Sequence, residues 1–145
     1  MYYSDLVKKA CNIMYDAHKN DVDKAGYPYV LHPFLLATQM TDEASTCVAL
    51  LHDVIEDHGD RYSFEYLTKE GFPNEVIDAL RLLTHDDSVP YDAYVRAIAC
   101  NPIATKVKLA DLRHNADVRR LNGAKPRKYD TYLWAIDYLE RVGKD

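Results

Sequence analysis

The sequence predicts an all-α fold, and three observations lead to that prediction. Apolar residues recur at three-to-four spacing in successive segments, capping residues with proline or glycine separate those segments, and no useful stretch alternates apolar and polar residues with period two. The chain of 145 residues has the size of a single domain, which we place over residues 1–145. We expect a helical bundle of about eight helices around one core.

The first two predicted helices flank a polar loop. Apolar residues repeat at helical spacing over about residues 4–19, which predicts an amphipathic helix. Residues 20–29 are polar and include Gly26 and Pro28, so they are expected to form a loop. A second helix is expected over about residues 30–40.

The third predicted helix contains the most apolar segment of the chain. Asp42 is a suitable N-cap for a helix over about residues 43–57, whose centre reads CVALLHDVI, and Gly59 marks its end. Ser63 precedes a short helix that is expected to stop at Gly71.

Asparagine and proline mark the starts of the next two helices. Asn74 is predicted to cap a helix over about residues 75–84, with an acid in its first turn. Pro90 suits the first turn of a helix over about residues 91–100.

The last two predicted helices are also introduced by proline. Asn101 and Pro102 repeat the cap-and-proline pattern and open a helix that is expected to run to about residue 121. Asn122-Gly123 is a typical helix end, and Pro126 is expected to start the final helix.

Composition and charge restrict the classes of function. The net charge of −5 argues against a nucleic-acid surface, which needs clustered cations, but it permits a phosphorylated small-molecule substrate if a metal supplies local positive charge. No apolar run approaches the roughly 18 residues that span a bilayer, and the N-terminus lacks the apolar core of a signal peptide, so we expect no membrane partner and a cytoplasmic location. The oligomeric state is left open.

The segment VALLHDVIEDH places ligand-type residues on a helix that should be buried. His52 and Glu56 are four residues apart and share a face, as do Asp53 and Asp57. Burying unpaired carboxylates costs several kcal/mol each. A bound cation among them would remove that conflict.

Two further segments supply residues of the same kind. Asp111 follows an apolar run in VKLADLRHNADV and shares a helix face with Asn115, while His32 follows an aromatic loop in YPYVLHP. Alone, a histidine or aspartate of this kind more often has a structural role. Two imidazoles and two carboxylates on three apolar helices together suit Mn²⁺, Fe²⁺, Zn²⁺ or Co²⁺ better than Ca²⁺.

These residues and their neighbours resemble a known superfamily. The order His32, His52-Asp53, Asp111 resembles the metal-binding pattern of HD phosphohydrolases. The strings YPYVLHP, ALLHDVIED and VKLADLRHN are similar to the hydrolase domain of RelA/SpoT proteins and its small stand-alone relatives, which cleave the 3′-pyrophosphate from guanosine tetra- and pentaphosphate, usually with Mn²⁺. The resemblance covers residue 18 to about residue 121.

The resemblance implies a role for each matching residue. The metal ligands would be His32, His52, Asp53 and Asp111, with Mn²⁺ as the favoured divalent ion. Glu56 and Asp57 would be the catalytic acid/base pair beside the metal, and Asn115 would help to position the substrate or a water molecule. A carboxylate one helical turn beyond a metal ligand is well placed for proton transfer.

The sequence departs from the family pattern in its substrate half. Asp23 stands where the family has an arginine that packs on guanine, and Asp117 stands where another arginine is usual. Both changes would weaken a site for a highly charged guanine nucleotide.

Three residues are candidates for substrate binding: Lys24, Tyr29 and Arg113. Lys24 follows Asp23 and can partly replace the missing arginine. Tyr29 can stack on a base or pack around the neighbouring proline. Arg113 is one of several cations near the last ligand helix, most of which are expected to form a solvated face.

Other histidines receive structural interpretations. His18 ends the first helix, where compensation of the helix dipole and a substrate contact are equally compatible with the sequence. His114 is expected to pack or form hydrogen bonds, and His58 is expected to be solvated.

The function implied by the resemblance is a metal-dependent phosphohydrolase that removes pyrophosphate from a guanosine polyphosphate. Two alternatives stay open: a phosphohydrolase of another nucleotide or phosphorylated metabolite, and a non-catalytic metal- or nucleotide-binding sensor domain. The acids Glu56 and Asp57 favour an enzyme, since a binding module does not need a buried acid pair.

Overall fold

The computed structural model describes residues 1–142, and this range contains nine α-helices. A 3₁₀ helix, Val118–Leu121, lies between the last two, and an isolated bridge between Val22 and Pro28 is the β-type pairing found in the described range. The predicted all-α bundle is confirmed. The helices are α1 (Asp5–His18), α2 (Leu31–Thr38), α3 (Glu43–Leu51), α4 (Val54–His58), α5 (Phe64–Lys69), α6 (Asn74–Leu83), α7 (Tyr91–Ile98), α8 (Pro102–Asn115) and α9 (Tyr129–Val142).

Helix α3 is the central element of the bundle. It packs against α1, α2, α6 and α8, and all its side chains from Ser45 to Leu51 are buried. A helix surrounded in this way must be apolar on every face, which explains the unbroken run CVALL. Because α2 and α8 pack against it, two of their polar side chains, His32 and Asp111, come together near the end of α3.

Side-chain caps define several of the helix starts. Asp42, Ser63 and Asn101 each accept a hydrogen bond from a backbone amide in the first turn of the helix that follows. The expected cap at Asn74 is wrong. Pro73 occupies the N-cap position in an extended conformation, so Asn74 is already the first helical residue and makes no capping bond.

One long predicted helix is interrupted. The expected helix over residues 43–57 divides into α3 and α4, with His52 and Asp53 in the break. The His52 Nδ1–H donates to the Ala49 carbonyl at 2.7 Å and so binds an oxygen that the amide of Asp53 would use in a continuous helix.

The C-terminal predicted helices are shorter than expected. Helix α8 ends at Asn115 instead of near residue 121, because Asp117 adopts an extended conformation and its side chain accepts from the Arg119 amide. Helix α9 begins at Tyr129, since residues from Pro126 onward form a turn first.

None of the helices within residues 1–142 has both the length and the apolarity that crossing a membrane requires.

Candidate active site

The break between α3 and α4 holds a cluster of four ligand-type side chains. Ligand atoms of His32, His52 and Asp53 all lie within 4.8 Å of one another. Asp111 joins them from α8, with Oδ1 2.8 Å from His32 Nε2 and 3.6 Å from His52 Nε2. The structure therefore brings together the four residues that the sequence proposes as metal ligands.

The tautomer of His52 is determined by its backbone contact. Because Nδ1 donates to the Ala49 carbonyl, the neutral ring presents a lone pair on Nε2. That nitrogen is buried, has no aligned hydrogen-bond partner and lies 3.0 Å from Asp53 Oδ2. Burial lowers the pKa of His52, but Asp53 and Asp111 outweigh this and raise it well above its usual value. The position therefore favours positive charge, either a proton or a metal ion.

The second imidazole has a similar arrangement. His32 Nδ1 lies 2.6 Å from His114 Nδ1 in a stacked pair of rings. Burial, His32 and Arg120 lower the pKa of His114 to about 4, so His114 is neutral near pH 7 and can accept the hydrogen bond. His32 Nε2 is then free to face Asp111 as a ligand, the usual arrangement of a metal-binding histidine.

Both carboxylates of the cluster are ionised. Burial alone would raise the pKa of Asp53, but His52 and the Tyr29 hydroxyl, which donates to Asp53, hold it at about 2. Burial would also raise the pKa of Asp111, but Lys108 and the two imidazoles keep it well below the ordinary value. Two imidazole nitrogens and two carboxylates, with one nitrogen unpartnered, form a donor set that fits a borderline divalent ion.

The two acids one turn further along face the same cleft. Burial and the nearby Asp53 raise the pKa of Glu56, despite a 2.7 Å hydrogen bond from the His85 amide. Burial, Asp53 and Glu56 raise the pKa of Asp57 to about 6. A carboxyl with a pKa close to neutral can both accept and donate a proton at physiological pH.

The cleft has a volume of about 520 Å³ and is lined by both acids, by Asp53 and Asp111, and by two lysines, Lys108 and Lys128. Asn115 lines it too and donates to Asp111 Oδ1 at 3.1 Å. The sequence does not single out which of the cations near the last ligand helix faces the cleft. Lys108 does: it lies three residues before Asp111 on the same helix face and donates to Asp111 Oδ2 at 3.0 Å.

The three candidate substrate-binding residues have different positions. Tyr29 lines the cleft, and its hydroxyl is engaged by Asp53. Lys24 lines an adjoining depression of about 240 Å³. Arg113 lies outside both, because it pairs with Glu140 of α9 at 2.6 Å.

Comparison with known proteins gives related sequences and a related structure. No protein-family model matches the chain. It is 31% identical over 128 residues to a guanosine-3′,5′-bis(diphosphate) 3′-pyrophosphohydrolase of Haemophilus influenzae, a match that covers 78% of this chain and 18% of that protein. It is 30% identical over 134 residues to the bifunctional (p)ppGpp synthase/hydrolase SpoT of Escherichia coli, with 84% and 19% covered. The chain thus spans less than a fifth of these relatives.

A solved structure matches over almost the whole chain. It is a metazoan ortholog of SpoT that hydrolyses ppGpp, superposes with a TM-score of 0.73 at 26% identity, and is matched over 98% of this chain and 87% of its own. The chain is an HD-type domain related to RelA/SpoT hydrolases.

In this HD domain, both oxygens of the Asp23 carboxylate have partners within the protein. Its Oδ1 accepts the amides of Ala25 and Tyr27, both at 2.9 Å, and its Oδ2 lies 3.4 Å from an Arg120 guanidinium nitrogen. The carboxylate is therefore neutralised by a cation that arrives from the segment after α8. A pairing across 97 positions leaves no local signal in the sequence.

Asp117, the second departure from the family pattern, pairs with Arg119 at 2.6 Å. Both of its carboxylate oxygens are engaged by that guanidinium. Its charge is therefore compensated locally, as the charge of Asp23 is compensated by Arg120.

Proposed function

We propose that this HD domain is a metal-dependent phosphohydrolase that removes pyrophosphate from guanosine polyphosphates. The observation that carries the proposal is a cluster of four ligand-type residues, two of which line the same cleft as two acids with raised pKa values. The named relatives act on guanosine polyphosphates, and this supports the choice of substrate.

Four residues would hold the ion: His32, His52, Asp53 and Asp111. We propose Mn²⁺, the usual ion of the resembling hydrolases, and a mixed set of nitrogen and oxygen donors suits a transition-metal ion of this kind better than Ca²⁺. When bound, a divalent ion neutralises phosphate charge and lowers the pKa of water toward ~7.

Proton transfer is assigned to Glu56 and Asp57. Asp57, with a pKa of about 6, can take a proton from the attacking water, and Glu56 or Asp57 can return one to the leaving oxygen. Asn115 is held by Asp111 and would orient the substrate or the water. Lys108 and Lys128 line the same cleft and would bind phosphate oxygens.

A second candidate function is hydrolysis of another phosphorylated nucleotide. Asp23 occupies the place of the arginine that packs on guanine in the resembling enzymes, and this observation favours a different or broader base preference. The third candidate is a sensor domain that binds metal or nucleotide and does not hydrolyse it.

The test is pyrophosphate release from guanosine tetraphosphate and a panel of other nucleotides by the Mn²⁺-loaded chain. We expect Glu56→Gln and Asp57→Asn to lower turnover by about 10²-fold or more and to retain metal, as for a lost general acid or base. The matched control is Glu65→Gln on α5, an exposed acid that pairs with Lys69, which should leave turnover unchanged.

The other outcomes discriminate among the candidates. Turnover of a different nucleotide alone would favour the second function. Substrate binding without release of any phosphate would favour the sensor. Full activity of both Glu56→Gln and Asp57→Asn would contradict the assigned proton transfer.

A further inference from the structure

A second group of ligand-type side chains lies beside the first and is not used by the proposed reaction. His18 is the last residue of α1, Asp21 follows in the loop, and His58 is the last residue of α4. Their ligand atoms all lie within 4.8 Å of one another. His18 Nδ1 is 3.0 Å and His58 Nε2 is 2.6 Å from the same oxygen, Asp21 Oδ2.

Backbone contacts and packing hold His18 and Asp21 in place. The Asp21 amide donates to the His18 carbonyl at 2.9 Å, and the Asp21 carbonyl accepts the amide of Tyr29 at 2.9 Å. The His18 side chain is fully buried, and its ring packs on Tyr29 with centroids 4.9 Å apart. Donors positioned by backbone and packing in this way are preorganised for a ligand.

Each cluster contains a histidine with a buried nitrogen that has no hydrogen-bond partner. Within residues 1–142, the buried side-chain polar atoms without a hydrogen-bond partner are His18 Nε2 and His52 Nε2. Both histidines belong to the two candidate ligand groups. Buried polar groups are normally satisfied, and His52 Nε2 faces the first cluster, whereas His18 faces Asp21 through Nδ1, so its unpartnered Nε2 lies on the other side of the ring.

The electrostatics of the cluster favour a cation. Asp21 contacts two imidazoles but no lysine or arginine of the described range, because the nearby Lys19 and Arg61 both pair with Asp16. With neutral imidazoles the group carries one negative charge, and the C-terminal end of the 14-residue helix α1 adds partial negative charge.

We propose that His18, Asp21 and His58 form a second divalent-cation site. Two imidazoles and one carboxylate are a donor set typical of Zn²⁺ and Fe²⁺ sites with open coordination positions. Asp21 and His58 line a cavity of about 670 Å³ together with Glu56 and Asp57. An ion held there would present its open positions to water or a phosphate oxygen.

The test counts metal with Zn²⁺ as the probe. The chain is stripped with a chelator, reloaded with Zn²⁺, desalted and analysed for Zn²⁺ per chain by elemental mass spectrometry. Asp21→Asn and His58→Ala should each lower the retained Zn²⁺ by one equivalent, and both alter partly exposed side chains that are compatible with folding. The matched control is His85→Ala, a histidine outside both clusters, which should retain the wild-type amount.

A second measurement separates the two sites. In His52→Ala, Zn²⁺ should still shift the imidazole NMR signals of His18 and His58, and in the double variant with His58→Ala the His18 signal should no longer respond. Zn²⁺ content that is the same in wild type, Asp21→Asn and His58→Ala would overturn the second site. Because this count does not depend on turnover, its result is independent of the proposed hydrolase activity.

Discussion

At the scale of single residues, Arg120 changes the interpretation of the substrate side. Its guanidinium reaches Asp23 at 3.4 Å, the His114 carbonyl at 3.2 Å and Asn115 Oδ1 at 3.4 Å. It also lines the depression that Lys24 borders. Arg120 thus places a cation beside Asp23, the position at which the resembling family has an arginine.

We predict that Arg120→Ala lowers kcat/KM for guanosine tetraphosphate by about tenfold or more, roughly 1.4 kcal/mol, because Asp23 loses its cation and then repels the phosphates of the substrate. Steady-state kinetics of wild type and variant would measure this. Arg119→Ala is the matched control, since Arg119 is exposed and pairs with Asp117. Equal losses in the two variants would show that Arg120 has no specific role.

At the scale of elements, the start of α3 determines how firmly the central helix is held. The Asp42 side chain accepts the Ser45 amide at 2.8 Å, and Lys106 lies 3.4 Å from its other oxygen. Burial alone would raise the pKa of Asp42, but these contacts lower it below the ordinary value. The Lys106 pair is about half exposed and contributes little, so the cap is the main stabilising contact.

We predict that Asp42→Ala lowers the free energy of unfolding by about 1 kcal/mol, whereas Asp42→Asn, which can still cap, costs less. Because the folded-state pKa is depressed, the contribution of the charged cap is present above the unfolded value of 3.8 and is lost as the pH falls through the folded value. Urea unfolding at pH 7 and pH 3 would test this. Asp137→Ala on α9 is the control, and a wild-type-to-Ala difference independent of pH would contradict the argument.

At the scale of the whole molecule, the first cluster joins three parts of the bundle: α2, the break after α3, and α8. A ligand that binds only the folded state stabilises it by mass action, by about 2.7 kcal/mol at one hundred times its Kd. Metal binding at this point should therefore stabilise the entire bundle.

We predict that saturating Mn²⁺ raises the Tm of the wild type by roughly 5–10 °C, and that His52→Ala and Asp53→Ala lose most of this shift. Thermal unfolding followed by circular dichroism would measure it, with His85→Ala as a control that keeps the shift. An unchanged wild-type Tm with Mn²⁺ would contradict metal binding by the four-residue cluster.

The sequence by itself determined the helical class, several caps and the set of ligand-type residues, because these depend on interactions over a few positions. Periodicity and caps at Asp42 and Asn101 are local, and the pairs around His52 and Asp111 follow from helical spacing. Tertiary structure alone decided which side chains meet. Packing between distant segments decides the convergence of His18 with His58, the Arg120–Asp23 pair and the turn of Arg113 toward α9. Periodicity gives the buried face of each helix but not the partner that this face meets.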